Sequence, residues 1–229
     1  MKKLRPLIER RRLAYESHPY ITNLQDPELS PAARMAYAGY SAHWILTFGD
    51  INRMILNQVD PSDPIGGIII EHTNEDSKHW EWYLRDLVTL GQNPSAPFAD
   101  ALRFLWGPDS AHTRLLSYKI IAWATHASPA MKIALIETME AMGNVWLRNT
   151  VIPAQAMSDK LIYFGQHHLD RETGHTMGTE QDEVDDIVIP DSLRAEAERM
   201  VHDIFDATEA MNSEVLDRVR RQEGPFSLS

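Results

Sequence analysis

The stretch "YFGQHHLDRETGH" carries three histidines and two acids at spacings that could hold a cation. Taken as a helix of about 100° per residue, it places His168, Glu172 and His175 at i, i+4 and i+7, on one narrow stripe. His167 falls elsewhere: Glu172 lies five residues after it, roughly 140° round the helix. Two neutral imidazoles and a carboxylate suit iron, manganese or zinc. A second stripe is "EHTNEDSKHWEW", with His72, Glu75, Asp76 and His79 at i, i+3, i+4 and i+7. Such a stripe can be a solvated face with a Glu75–His79 or His72–Asp76 pair. Here "IGGIII" before it and "WEWYL" after it make the helix a buried one, where two histidines and two acids are costly unless something pairs them. A third piece, "ALIETMEAMGNVW", spreads Ala134, Met139, Met142 and Val145 nearly round a helix. Glu137 and Glu140 interrupt it, either on a narrow polar strip or as inward carboxylates of the kind that hold metal pairs in helical bundles.

The elements that must position these residues are helices. Period-two alternation is almost absent, and "VDDIVIP" near residue 187 is the best short strand candidate. A first helix runs through "KKLRPLIERRRLAYES" to the His18-Pro19 break. "SPAARMAYAGYSAHWILTFGDINRMIL" opens with Ser30 as N-cap and Pro31 at the first helical position. "DPIGGIIIEHTNEDSKHWEWYLRDLVTLG" starts in the same way at Asp63-Pro64 and stops at Gly91, and both stretches read as single long helices. Two further helices, a Ser128-Pro129 start, the His168 stripe and a closing amphipathic helix from Asp191 complete the chain. The acidic segment "GTEQDEVDD" reads as a solvated loop. The expectation is one all-α bundle of about seven or eight helices over residues 1–229.

Composition narrows the chemistry. The 229 residues include no cysteine, which excludes disulfides, thiolate metal sites, iron–sulfur clusters and cysteine nucleophiles. Any metal must be held by nitrogen and oxygen. A formal charge of -11 argues against a nucleic-acid partner, because a phosphate backbone would be repelled by most of the surface. The basic run Lys2, Lys3, Arg5 and Arg10 to Arg12 lacks a following apolar segment and makes a poor signal peptide, and no stretch approaches membrane-span length. A cytoplasmic protein is expected.

Together these residues resemble the haem-oxygenase-like diiron oxidases and oxygenases, whose all-α fold is shared with haem oxygenase and the thiaminase-II-like proteins. That family carries an acid and a His at Glu-x2-His on one core helix, a lone Glu on the next, and His-x3-Asp/Glu-x2-His on a third. "DSKH" matches the first with Asp76 in place of Glu, "MEAMGNVW" the second and "HLDRETGH" the third, in the same order. "EDSKHWEWYLRDLVTLG" and "ESHPYI" also resemble family segments, and the likeness spans roughly residues 15 to 210.

The resemblance implies two iron ions, with manganese as the other metal to consider. It assigns Asp76, His79 and Glu140 to one half of the centre and His168, Glu172 and His175 to the other, with Glu140 as a candidate bridge. Glu75 is the alternate for Asp76, Glu137 for Glu140, and His72 is the surplus, expected to be satisfied by backbone or to orient a ligand. Family members oxidise small organic molecules with O2 by abstracting hydrogen, cleaving a carbon–carbon bond or oxygenating an amine. A small-molecule substrate, an external electron donor and pairing into a homodimer are therefore expected, with Tyr163 or Phe164 lining the substrate pocket. Two rivals stand beside this: a haem-binding oxygenase using His18 as axial ligand, and a non-catalytic helical binding or assembly protein. A thiaminase-like hydrolase would need the cysteine nucleophile that the chain lacks.

Overall fold

Helical periodicity and Ser/Asp-Pro starts translate directly into the architecture. The computed structural model describes residues 1–176 and 184–221, with the side chains of 173–176 outside that description. The helices are α1 (Arg5–Tyr15), α2 (Pro19–Gln25), the single turn α3 (Pro31–Arg34), α4 (Ala42–Ile51), α5 (Pro64–Asp76) and α6 (His79–Thr89). They continue as α7 (Phe98–Trp106), α8 (Ala111–Ala124), α9 (Pro129–Met157), α10 (Gln166–Thr176) and α11 (Asp191–Arg220). There is no strand among the described residues, and the helices outnumber the seven or eight expected. The surplus comes from breaks inside stretches that read as continuous. "VDDIVIP" is not a strand: Val184–Asp186 form one helical turn and the chain is irregular to Pro190.

The three proline-led starts behave as their chemistry requires. Ser30, Asp63 and Ser128 each accept a hydrogen bond from a backbone N–H of the first turn, those of Ala33, Ile65 and Met131, which satisfies a donor that the helix itself cannot. Helix α9 is the axis of the bundle. It is buried nearly all round and packs against α1, α2, α3, α5, α8, α10 and α11, and it continues past Pro153 to Met157.

Two predicted long helices are interrupted. After α3 the chain forms a 3₁₀ turn at Ala38–Ser41, and α4 runs directly into a π-helical turn, Asn52–Leu56. Buried Lys132 of α9 holds the end of that turn, donating to the carbonyls of Ile55 (2.8 Å), Leu56 (3.2 Å) and Gln58 (2.9 Å). Water can replace part of this at the half-buried Ile55 and Gln58 carbonyls, so Lys132→Met is expected to cost about 2 kcal/mol. Calorimetry should show this as a fall in melting temperature of about 4–8 °C.

The second interruption matters more. Ser77 and Lys78 separate α5 from α6, so that His79 becomes the first residue of a new helix. Helix α4 approaches the break closely: a Cβ on Gly49 would stand 3.0 Å from the Trp80 ring and 3.1 Å from the Ser77 carbonyl oxygen.

The basic N-terminus is neutralised within the fold. Lys2 pairs with Asp186, Lys3 with Asp191, Arg5 with Asp185 and Glu137, and Arg11 with Asp206 and Glu209. The acidic segment from Gly178 is thus not simply a solvated loop where it can be seen, and its residues 178–183 lie outside the described ones. Among the described residues no helix is long and apolar enough to cross a membrane.

Candidate metal centre

Helices α5, α6, α9 and α10 bring their histidines and acids together in two adjoining groups. His79, His168 and Glu172 form one, and His72, Asp76 and Glu140 the other, and within each group one ligating atom per residue lies within 4.8 Å of the others. The groups touch: His79 Nδ1 is 3.6 Å from Glu172 Oε1 and 3.8 Å from Asp76 Oδ1. This regroups the expected halves. The break at Ser77–Lys78 turns His79 towards the α10 stripe, and His72 takes its place beside Asp76 and Glu140.

Helical phase sorts the paired histidines as expected. His168 is buried and His167 exposed, with its ring edge-to-face on Trp82 at 5.2 Å. His175 belongs to α10, but its side chain lies outside the described residues. Of the alternates, Glu75 pairs with Arg171 and Glu137 with Arg5; neither joins the two groups. His72 does: its Nε2 stands 3.1 Å from Asp76 Oδ2 and 3.4 Å from Glu140 Oε1, so it is not a histidine satisfied by backbone alone.

The polar atoms are arranged for a cation. His168 Nδ1 is 2.8 Å from the Tyr163 carbonyl, which can only accept, so Nδ1 carries the proton. The other ring nitrogen, Nε2, then faces Glu172 Oε1 at 3.1 Å. A lone pair cannot face a carboxylate unless a proton or a cation lies between them. Neither Asp76 oxygen has a well-aligned hydrogen-bond partner among the described residues, nor does His79 Nε2, although all three atoms are buried. Buried polar atoms are rarely left so, and a metal ion would satisfy them. The residues present therefore fit a metal held by nitrogen and oxygen.

Electrostatics point the same way. Burial, with His168 close by, pushes His79 down to about 4, so its imidazole is neutral at pH 7 and its lone pair is available. Burial and the nearby Glu172 push Glu140 well above the usual carboxylate range. Burial alone would raise Glu172 too, but hydrogen bonds from His168 and Glu140 outweigh it and bring that carboxyl down to about 2. Burial opposes a charge on His72, yet Asp76 and Glu140 outweigh it and push that imidazole well up. Binding of a cation to such a group of acids and imidazoles would release protons.

No family model matches the chain, and no curated protein matches it.

A residue that the sequence did not single out fixes the geometry of α10. Asp86 of α6 is fully buried, and its carboxylate accepts from the backbone N–H groups of Ile162 and Phe164 at 3.0 Å. That clamps the segment whose Tyr163 carbonyl orients His168. The available signal was spacing: Asp86 stands seven residues after His79, on the same stripe, in an apolar run.

A cavity of about 120 Å³ opens beside Asp76, His79, Glu140, His168 and Glu172. Tyr163 lines it, with Trp44, Trp80 and Trp146. Phe164 does not: it is fully buried among Tyr37, Tyr83 and Trp146. His18 is also elsewhere, capping α2 by accepting from Tyr20 N at 3.2 Å, with its other ring nitrogen 3.2 Å from Ser213 Oγ.

Proposed function

We propose that the protein is a non-haem diiron, O2-dependent oxidase or oxygenase of the haem-oxygenase-like fold, acting on a small organic molecule. The observation that carries this reading is the pair of adjoining donor groups, three residues each, in which the buried Asp76 oxygens and His79 Nε2 have no well-aligned hydrogen-bond partner among the described residues. A pair of ferrous ions held there would supply the activation of O2, with an external donor returning electrons. His79, His168 and Glu172 would hold one ion and His72, Asp76 and Glu140 the other, with the proximity of Glu140 and Glu172 suiting a shared carboxylate. The same donors also admit manganese.

The chain's own residues supply the rest. The Tyr163 carbonyl fixes the His168 tautomer so that Nε2 presents its lone pair to the centre, an outer contact of the kind that tunes metal affinity. The Trp82 ring stacks on His79 at 4.4 Å and sets its plane. The apolar walls of the cavity favour an apolar molecule beside the centre.

Metal analysis after loading with ferrous iron should find about two ions per chain. At about 100 times the dissociation constant, metal adds about 2.7 kcal/mol, so chelation should lower the melting temperature by about 5–10 °C. Consumption of O2 by the loaded protein, with electron donor and candidate substrates, tests the reaction itself. No iron uptake and no thermal response to chelation would overturn the reading.

A further inference from the structure

Gly143 lies in the middle of α9, three residues after Glu140 and so on the same face. Glycine inside a helix is less stable than alanine, and Gly143 does not have a positive φ that would call for it. A Cβ added at Gly143 would meet nothing within 4 Å, because the residue borders the cavity beside the metal-ligating groups. The missing side chain leaves open space next to Glu140.

The charge of the walls limits what can fill that space. Leu116, Ile120, Met142, Leu147 and Met211 supply apolar surface. The polar atoms from α11 and the 3₁₀ turn are neutral: the hydroxyls of Ser41 and Thr208 and the amide of Asn212, whose nitrogen bonds the Tyr15 hydroxyl. Among the described residues no lysine or arginine lines the cavity, and the acids and histidines that do are those of the candidate metal centre. An anionic group there would meet three carboxyl groups and, among the described residues, no lysine or arginine.

We propose that the cavity takes an uncharged, largely apolar organic molecule and that Gly143 is the position that sets its allowed bulk beside the metal centre. This rests on the cavity being the substrate site of the proposed enzyme, but the test needs no metal. Trp44, Trp80 and Trp146 line the cavity, so tryptophan fluorescence reports its occupancy.

Chelator-treated protein is titrated with straight-chain primary alcohols from butanol to decanol, and with octanesulfonate. The alcohols should give a saturable change, with octanesulfonate at least about tenfold weaker than octanol, the equivalent of about 1.4 kcal/mol. Gly143→Leu should weaken the best-binding alcohol by about tenfold or more. Gly143→Ala, which removes a helix-weakening glycine, should raise the melting temperature and weaken the longer alcohols more than butanol; this variant keeps the test open if Gly143→Leu does not fold. No saturable response to any alcohol, sulfonate binding as tight as octanol, or unchanged affinities in the folded Gly143 variants would overturn the proposal. Alcohol binding without iron uptake would remove the enzyme reading and leave the cavity's selectivity standing.

Discussion

Iron content is expected to fall by more than about 100-fold in affinity in His168→Ala and to stay at the parent level in His167→Ala. The two residues are adjacent and chemically identical, so their difference isolates position. His168 is buried with its Nε2 towards Glu172, while His167 is exposed against Trp82. Loss of a contact that only orients a ligand already costs about 10–100-fold in metal affinity, and removal of the ligand should cost more. His79→Ala should behave like His168→Ala, because both rings belong to one donor group. Emission spectrometry on protein dialysed against a fixed ferrous iron concentration measures this. Equal iron in the His167 and His168 variants would mean that the buried groups are not the binding site.

Asp86→Ala should destabilise the protein by about 2–4 kcal/mol, because the buried Phe164 N–H and the half-buried Ile162 N–H lose their acceptor and an orphaned buried group costs about 1–3 kcal/mol. A fall in melting temperature of roughly 10 °C follows for a chain of this size. The same substitution frees the segment that carries the Tyr163 carbonyl, so His168 loses the contact that fixes its tautomer. Asp86→Asn retains one acceptor oxygen and should keep most of the stability, yet bind iron about tenfold or more weakly. Thermal melts and iron titrations on both variants separate the two effects. Full iron affinity in folded Asp86→Asn would reduce Asp86 to a purely structural role.

Those two residues also mark the boundary between local and tertiary information. Side-chain direction along a helix follows from its 3.6-residue repeat, so the phase of "HHLDRE" was enough to separate His168 and Glu172 from His167. Capping is equally local: Ser30, Asp63 and Ser128 satisfy N–H groups within their own first turns. The all-α class follows from the same repeat carried through the chain.

Partnership between helices is not local. "EDSKHW" contains neither glycine nor proline, so nothing in it announces the break at Ser77–Lys78. The break lies against the close approach of α4 at Gly49, and it brings His79, still 3.8 Å from Asp76, into the group of His168 and Glu172. Periodicity could not choose Glu140 over Glu137, since both interrupt the same apolar helix; packing turns Glu137 to Arg5 of α1 and Glu140 to His72 of α5. It gave no means of telling Tyr163, at the cavity, from Phe164, in the core. The sequence by itself determined the all-α class, the three proline-led caps and the phase that separates His168 and Glu172 from His167. Only the tertiary structure decided which ligands meet, because that depends on the packing of several helices around α9, which no single helix encodes.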